Sequence, residues 1–481
     1  MRNINEECGV FGIYNKDGYD TARVVYHALY ALQHRGQESC GIAVNDDDNI
    51  TCIKDLGLVS EVFNESLLSS LKGAIALGHV RYSTTGSNTR ENAQPLATRY
   101  VKGSLTIVHN GNVYNAAELR DSLASEGAVF RSTNDSEVIA FLIAKERLKT
   151  PSVEKAVLNV IPKLKGSFSL LVMSPRKLIA VRDPLGIRPL CIGNMDNDTT
   201  VFASETAALD SIGAKFLRDV LPGELVCVDT EKMYSIQDKV TVPISKNNDQ
   251  CNSCLKKPGA LCVFEHIYFA RPDSVIDGQS VYNSRITAGR ILAQESDVDA
   301  DMVMGVPDSG LIAAIGYSRQ SNIPYGTGLI KNRYIGRTFI QPTQTEREKS
   351  VRIKLNALQS AVNGKRIILI DDSIVRGTTI KNLIDLLKSA GATEVHIRIS
   401  SPKFMHPCFF GTDIPSEKEL ICQKYSTDEL CKIIGADSLM FFPLSRLNEI
   451  VSDCQLGFCD ACFSGNYPLD VPREIDKNLF E

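Results

Sequence analysis

The sequence predicts a mixed α/β protein that is divided into at least two domains, one of which is built on a parallel sheet. Its 481 residues suffice for two or three domains with their own cores. The mostly aliphatic run 366–370 has the composition of a buried parallel strand, and it ends at the carboxylates of Asp371 and Asp372. Apolar residues then recur at helical spacing from Ile380 until Gly391, which is a typical helix stop. Strand, loop and helix in this order indicate an α/β unit.

Composition is that of an ordinary globular protein. Hydrophobic residues make up 43% and charged residues 23%, and the net charge of −4 gives no reason to expect nucleic acid as a partner. No apolar run reaches the ~18 to 20 residues of a membrane span, and residues 1–7 lack the apolar stretch of a signal peptide. We therefore expect a cytoplasmic protein without membrane contact. Its 14 cysteines are then packing residues, catalysts or metal ligands rather than disulfides.

The loop after the strand carries groups that suit a phosphate. Hydroxyls are available from Ser373, Thr378 and Thr379, and Gly377 lets the backbone approach an anion at the start of the helix. The preceding acidic pair can hold ribose hydroxyls or a Mg²⁺ ion. A solvated acidic pair before an ordinary helix cap is the alternative interpretation of these residues alone.

Taken together, residues 366–379 resemble the loop with which type I phosphoribosyltransferases bind phosphoribosyl pyrophosphate (PRPP). The resemblance implies that the acidic pair contacts the ribose hydroxyls and that the loop binds the 5′-phosphate. The PRPP-binding residues that it implies here are Asp371, Asp372, Ser373, Arg376, Gly377, Thr378 and Thr379.

The amino-terminal half carries a different series of short motifs. Cys8 opens an apolar segment that reads as a strand, and four segments follow in order: 32–42, 78–86, 109–112 and 134–137. Alone, Asn110-Gly111 is typical of a hairpin turn and Asn134 of a helix cap. In this order they resemble the class II glutamine amidotransferases.

That resemblance implies an N-terminal-nucleophile (Ntn) hydrolase fold over residues 8–240, in which two stacked sheets lie between helical layers (αββα). Cys8 is then the nucleophile, and its own α-amino group is the general base once residues 1–7 have been removed as a propeptide. An α-amine with a pKa of ~7.7 to 8.0 is well matched to proton transfer near neutrality, whereas an amide nitrogen cannot act as a base.

The same resemblance assigns the other glutaminase residues. The side chain of Asn110 and the backbone N–H of Gly111 would stabilise the oxyanion. For glutamine binding, Arg81 would pair with the α-carboxylate, Asp135 would receive the α-ammonium, and Arg35 would belong to the site and order the region around Cys8. His79 and His109 are expected to have no catalytic role, because the amine does that work.

The carboxyl-terminal half begins after a polar, turn-rich stretch that reads as a linker over residues 241–261. The next segment, 262–274, resembles the amidophosphoribosyltransferases, glycosyltransferases that make 5-phosphoribosylamine from glutamine and PRPP in the first committed step of purine biosynthesis. This implies a type I phosphoribosyltransferase domain over residues 262–445 and a C-terminal segment over residues 446–481.

Further site residues come with this resemblance. The turn 308–310 resembles a pyrophosphate-binding loop, in which Ser309 would join Asp371 and Asp372 around Mg²⁺. Lys331 and Arg337 lie in a basic segment that would form a lid, bind the leaving pyrophosphate and complete a channel for ammonia.

Four cysteines have the chemistry of a metal centre, since four thiolates suit either zinc or an iron–sulfur cluster. Sequence context resembles the branch of the family that carries a [4Fe–4S] cluster, here on Cys262, Cys408, Cys459 and Cys462. A zinc site formed by 251–254 with 459–462 is the alternative, and Cys454 is a weaker candidate ligand.

The resemblance also implies partners: glutamine, PRPP, inhibitory purine nucleotides and three further copies in a homotetramer. One alternative function is a regulatory protein that senses PRPP or a nucleotide without turnover. Another is a different class II amidotransferase, such as an asparagine synthetase or a sugar-phosphate aminotransferase, but these use other synthase domains and segment 366–379 disfavours them.

Overall fold

The computed structural model describes residues 8–18, 20–82, 88–195, 198–237, 240–243, 257–332, 355–412, 414 and 417–472. The predicted propeptide (1–7), the lid residue Arg337 and the cysteines at 251 and 254 lie outside these described residues.

Two seven-stranded antiparallel sheets form the first domain. One sheet has the order β11-β9-β10-β1-β4-β2-β3, and the other has the order β14-β13-β12-β8-β7-β6-β5. The strands are β1 (Gly9–Tyr14), β2 (Ser39–Asp46), β3 (Asn49–Leu56), β4 (Ile75–Arg81), β5 (Leu96–Tyr100), β6 (Gly103–Val113), β7 (Gly166–Ser174), β8 (Lys177–Arg182), β9 (Cys191–Met195), β10 (Thr199–Ala203), β11 (Lys215–Asp219), β12 (Leu225–Val228), β13 (Met233–Gln237) and β14 (Val240–Pro243).

Three separate cores show how the layers stack. Apolar side chains between the two sheets form one core, which includes Val10, Leu171 and Phe202. A second core joins the outer face of the first sheet to its helices, and a third does the same for the second sheet. The helices are Thr21–Ala31, Val59–Val62, Glu65–Ser70, Ala116–Ser125, Asp135–Arg147, Val153–Val160 and Thr206–Ser211, with a 3₁₀ helix at Ile161–Lys163. The predicted helix-sheet-sheet-helix order is confirmed.

A four-stranded parallel sheet, ordered β18-β21-β22-β23, organises the second domain. Cores cover both of its faces, as its aliphatic strands require. Its strands and the smaller pairs are β15 (Lys257–Cys262), β16 (Val275–Ile276), β17 (Gln279–Ser280), β18 (Met302–Gly305), β19 (Leu329–Lys331), β20 (Leu355–Ala357), β21 (Arg366–Asp371), β22 (Glu394–Ile399), β23 (Ser438–Phe441) and β24 (Leu456–Cys459). The predicted parallel sheet is confirmed.

Helices of the second domain flank this sheet. They are Val281–Gln294, Leu311–Ser321, Gln359–Val362, Thr378–Ser389, Ile421–Lys424, Thr427–Ile434 and Ala461–Ser464, with 3₁₀ helices at Glu417–Glu419 and Leu444–Val451 and a π-helix at Glu265–Phe269. Within the described part of the chain, no helix has the length and apolar character needed to cross a membrane.

The junction between the domains is more structured than a polar linker. Strand β14 extends the sheet of the first domain, and β15 pairs in parallel with β24, which lies near the end of the chain. An ion pair also crosses the junction, because Arg182 donates to both carboxylate oxygens of Asp277 at 2.8 and 2.7 Å. The two domains therefore share a bonded interface.

Candidate active sites

Cys8 lies immediately before β1 and is 7% exposed. Its thiol donates to the carbonyl oxygen of Tyr82 at 3.4 Å. Burial raises the pKa of the Cys8 thiol to about 11, although the positive charge of Arg81 acts in the opposite direction. The thiol is therefore protonated near neutral pH, and a nucleophilic role requires a nearby base to remove that proton.

Arg35 is a fully buried guanidinium behind the nucleophile. Its Nε donates to the carbonyl oxygen of Cys8 at 3.0 Å, and its terminal nitrogens bond to Glu205 at 2.6 Å and to Glu265 at 2.7 and 2.9 Å. Glu265 belongs to the second domain. This placement supports the role of ordering Cys8 rather than direct contact between Arg35 and glutamine.

The expected oxyanion donors lie on β6, opposite β7. Asn110 is buried, and its side-chain nitrogen has no hydrogen-bond partner among the described residues. Gly111 has φ +148°, and a Cβ there would lie 2.1 Å from the carbonyl oxygen of Ser167. Only glycine fits this close approach of the two strands. A buried amide nitrogen without a partner among the described residues suits an oxygen that gains negative charge.

The two expected partners of the amino-acid end of glutamine lie near Cys8. Arg81 ends β4 and is buried, and Asp135 begins the helix Asp135–Arg147 with its carboxylate accepting from the N–H of Val113 at 3.0 Å. Burial tends to raise the pKa of Asp135, but the imidazole of His109 and hydrogen bonds to the carboxylate hold it below its usual value. Asp135 is therefore ionised at neutral pH, as an ammonium site requires.

Both histidines near the site have structural partners. His79 contacts the backbone carbonyl of His109 at 3.1 Å, and His109 Nδ1 contacts the hydroxyl of Ser136 at the same distance. Burial lowers the pKa of His79 to about 3, so it is neutral at physiological pH. These contacts fit the expectation that neither histidine is the catalytic base.

A second site is a cavity of about 680 Å³ at the carboxyl ends of the parallel strands. Residues from 371 to 380 form one wall, and residues 306–309 with Lys331 form another. The structure thus brings together the expected PRPP loop, the expected pyrophosphate loop and the described part of the expected lid. His34 and Gln37 also line the cavity, so the first domain contributes to it.

The acidic pair lies at the end of β21 in this cavity. The N–H of Asp372 donates to the carboxylate of Asp371 at 2.9 Å, and the hydroxyl of Ser309 lies 3.5 Å from the same carboxylate. Burial, and then the negative charge of Asp372, raise the pKa of Asp371 well above its usual value. A bound cation would relieve this repulsion, and carboxylate and hydroxyl oxygens are ligands that suit Mg²⁺. These residues therefore fit the metal that the family implies.

The phosphate loop leads into the helix Thr378–Ser389, as the sequence predicts. Gly377 has φ +78° and directly precedes this helix, so Thr378 and Thr379 occupy its first turn and line the cavity with Ser373 and Arg376. Lys331 also lines the cavity and forms an ion pair with Asp308 at 2.6 Å. Free N–H groups at a helix start favour a bound phosphate.

The four candidate cluster cysteines are neighbours around the domain junction. Cys262 and Cys459 are partners on β15 and β24, and the carbonyl of Cys462 accepts from the N–H of Met405, three residues before Cys408. Burial raises the pKa of Cys462, and the nearby thiols of the other three raise it further. In the described residues, however, no three His, Cys, Asp or Glu side chains converge closely enough for a preformed metal site.

Sequence reasoning missed several residues that shape these sites. Arg285 lines the cavity and is buried against the π-helix Glu265–Phe269, where it donates to the carbonyls of His266, Tyr268 and Ala270. Sequence reasoning also misses Glu265. The signal for it is its position as a charged residue inside the mostly apolar stretch 262–269, since such charges are usually paired when buried.

Comparisons with known proteins agree with the two domains. A family model for the glutamine amidotransferase domain matches residues 79–211, and one for the phosphoribosyl transferase domain matches residues 281–401. The amidophosphoribosyltransferase of Methanocaldococcus jannaschii is 46% identical over 97% of this chain and 98% of its own, and that of a Synechocystis strain is 48% identical over 98% and 93%.

Solved structures extend the likeness to the whole fold. The glutamine PRPP amidotransferase from B. subtilis, solved in complex with ADP and GMP, superposes with a TM-score of 0.86 and is 43% identical, covering 98% of this chain and all of the other. A structure described as the allosteric regulatory enzyme of purine biosynthesis has a TM-score of 0.87, 44% identity and the same coverage. On this full-length identity and shared fold, the chain belongs to the amidophosphoribosyltransferase family.

Proposed function

We propose that the chain transfers the amide nitrogen of glutamine to PRPP through two sites, with Cys8 in one and the 371–379 loop in the other. The observation that carries this proposal is a direct connection between them. Arg35 bonds both the carbonyl of Cys8 and the carboxylate of Glu265, and the π-helix that Glu265 begins lines the second cavity. The overall reaction is the glutamine-dependent PRPP amidotransfer of purine biosynthesis.

At the first site the Cys8 thiolate attacks the side-chain amide of glutamine, after its own α-amine has removed the thiol proton. The negative charge that develops on the amide oxygen is stabilised by Asn110 and Gly111. The protonated α-amine returns its proton to the leaving nitrogen, so that ammonia departs and a thioester forms, and water then releases glutamate from the thioester. Arg81 and Asp135 hold the α-carboxylate and α-ammonium of glutamine and so fix the reacting amide near the thiol.

At the second site ammonia attacks C1 of the ribose and pyrophosphate leaves. Asp371 and Asp372 hold the ribose hydroxyls, and the N–H groups at the start of the helix Thr378–Ser389 hold the 5′-phosphate. Ser309 and the acidic pair would hold a Mg²⁺ ion, which would supply positive charge for the pyrophosphate when bound. Lys331, with Arg337 of the lid, adds further positive charge, and closure of the site excludes water. Ammonia reaches this site through a channel between the domains.

Single substitutions separate the two steps. C8A is expected to abolish glutamine-dependent synthesis of phosphoribosylamine but to retain synthesis from added ammonium chloride, because the second site is intact. D371N is expected to lower both activities at least tenfold. C52A is the matched control, since Cys52 is a half-buried thiol outside both sites, and it should retain both. Loss of the ammonium-driven reaction in C8A would contradict the assignment of separate sites.

We also propose that Cys262, Cys408, Cys459 and Cys462 bind a [4Fe–4S] cluster with a structural role. Support comes from the donor set, because Cys262 is buried, the other three thiols are half-buried, and thiols that influence one another electrostatically suit a centre of thiolate ligands. The reaction transfers no electrons, so a redox role is not required. Protein purified without oxygen should contain four irons and four sulfides per chain, and C408S should lose both. A colourless protein with one zinc per chain would contradict the proposal.

Maturation at Cys8 is the remaining requirement of this mechanism. Residues 1–7 are proposed to be a removed propeptide, because the amine of Cys8 is free only after their loss. Intact mass of the active enzyme should equal that of residues 8–481. An active enzyme that retains Met1 would contradict the use of this amine as the base.

Regulation, assembly and location complete the proposal. Purine nucleotides are expected to inhibit, which the ADP and GMP bound by the B. subtilis structure support, and a homotetramer in the cytoplasm is expected from the family. Unchanged rates at millimolar AMP, GMP and their diphosphates would contradict inhibition by purine nucleotides. Sedimentation velocity tests the homotetramer, and fractionation of the cell tests the cytoplasmic location.

A further inference from the structure

The strand that carries the oxyanion donors is bonded to the second domain at the residue after Gly111. The side chain of Asn112 donates to the backbone carbonyl of Phe409 at 2.8 Å, and the hydroxyl of Ser167 donates to the carbonyl of Phe410 at 2.6 Å. Asn112 and Ser167 are themselves register partners on β6 and β7. The adjacent carbonyls of Phe409 and Phe410 therefore accept hydrogen bonds from both β6 and β7, and the bond to β6 is made by the residue that follows Gly111.

Packing at this contact is close and buried. Phe409 and Phe410 are 5% and 2% exposed, and Arg188, which is fully buried, also donates to the carbonyl of Phe410. Beyond them, a Cβ on Gly411 would lie only 3.5 Å from the carbonyl carbon of Gly111. We call residues 409–411 the backing segment, because they bond to Asn112 and Ser167 and pass close to the peptide of Gly111.

Gly111 needs such support for a physical reason. Glycine loses more backbone freedom on folding than any other residue, so its N–H is aimed only as well as its neighbours hold it. An oxyanion donor acts through preorganised aim, and a small displacement removes much of its effect. On one side Gly111 is held by the ladder with β7. On the other, the next residue, Asn112, is bonded to the backing segment.

We propose that Asn112 is a positioning residue for glutamine hydrolysis, which holds the N–H of Gly111 in line with the developing oxyanion through its bond to Phe409. The inference rests on the proposed assignment of Asn110 and Gly111 as oxyanion donors. It makes the second domain part of the glutaminase machinery.

The test uses the full-length enzyme with saturating PRPP and Mg²⁺, and two variants. N112D keeps the size of the side chain but replaces the donor by a carboxylate, and N112A removes the side chain. Both should lower kcat for glutamine hydrolysis about tenfold and leave KM for glutamine within twofold of wild type. The rate at which iodoacetamide alkylates Cys8 should not change, because that displacement forms no oxyanion. Synthesis from ammonium chloride should also be unchanged.

A matched control is N115A. Asn115 is half-buried like Asn112 and donates to the backbone carbonyl of Lys163 at 3.0 Å, but within the first domain. Wild-type kcat in N112D and N112A would overturn the proposal, as would an equal loss in N115A or a parallel loss of alkylation.

N110A distinguishes failure of the inference from failure of the assignment on which it rests. If N110A lowers kcat about a hundredfold and the Asn112 variants do not, only the positioning role is wrong. If N110A also has wild-type kcat, the oxyanion assignment fails and the inference fails with it.

Discussion

Replacing Arg35 by methionine is expected to damage both the stability of the domain interface and the reactivity of Cys8. The guanidinium is fully buried and bonds to the carboxylates of Glu205 and Glu265 and to the carbonyl of Cys8. Methionine has a similar length but neither charge nor donors. R35M therefore leaves two buried carboxylates that have lost their shared partner, and a nucleophile whose backbone is no longer fixed.

The expected cost can be worked out from the remaining contacts. Breaking a buried ion pair by removing one partner costs ~3 to 5 kcal/mol. Glu205 keeps His34 at 2.7 Å, and Glu265 keeps Arg188 at 3.5 Å, so we expect the lower end, ~3 kcal/mol. The loss is a substantial part of the ~5 to 15 kcal/mol by which native proteins are stable. Because a misplacement of ~1 Å can cost a hundredfold in rate, kcat for glutamine hydrolysis should fall at least tenfold.

Urea unfolding measures the loss of stability. Glutamine turnover and the alkylation of Cys8 by iodoacetamide at 25 °C measure the loss of Cys8 reactivity. R182M is the matched control, since Arg182 is equally buried and pairs with Asp277 across the same interface without contacting Cys8. It should be destabilised to a similar degree and keep wild-type alkylation. Equal alkylation and turnover in R35M and R182M would refute the reasoning.

Three further expectations concern other sites. In G111A the new Cβ meets a backbone carbonyl 2.1 Å away, so glutamine hydrolysis should fall at least a hundredfold while the ammonium-driven reaction is retained. In G377A a left-handed φ of +78° and contact with Ile421 at 2.8 Å should raise KM for PRPP about fivefold. Burial and then the charge of Asp277 raise the pKa of Asp219 to about 8. The folded protein therefore holds a proton that the unfolded chain loses above pH ~4, and stability should fall as pH rises from 4 to 8. D219N should abolish that fall in melting temperature, and an unchanged pH profile would contradict the assignment.

Local chemistry explains what sequence reasoning predicts well. The strand, loop and helix around Asp371 are specified by aliphatic composition, by a glycine at a left-handed position and by helical periodicity, all within about two dozen residues. The order of the motifs around Cys8 and Asn110 indicates a family because each has a short, fixed pattern. Of these parts, the strand, loop and helix around Asp371 meet at one cavity in the structure.

Contacts between residues that are far apart in the sequence explain what sequence reasoning does not predict. Arg35 and Glu265 are separated by 230 positions, and Asn112 and Phe409 by 297. No periodicity links such residues, since their contact depends on how two domains dock. The π-helix at Glu265–Phe269 is equally invisible locally, and the polar stretch 241–261, which reads as a linker, has strands at both of its ends.

The pairing of β15 with β24 has a consequence for the nascent chain. A ribosome releases the first domain long before residues 456–459 exist, so the strand that begins the second domain must wait about two hundred positions for its partner. Until then the second domain, which supplies Glu265 to Arg35 and Phe409 to Asn112, lacks one of its strand pairs. We therefore expect glutamine hydrolysis to become fully active only after residues 456–459 have been made, when the residues that line the second site already exist.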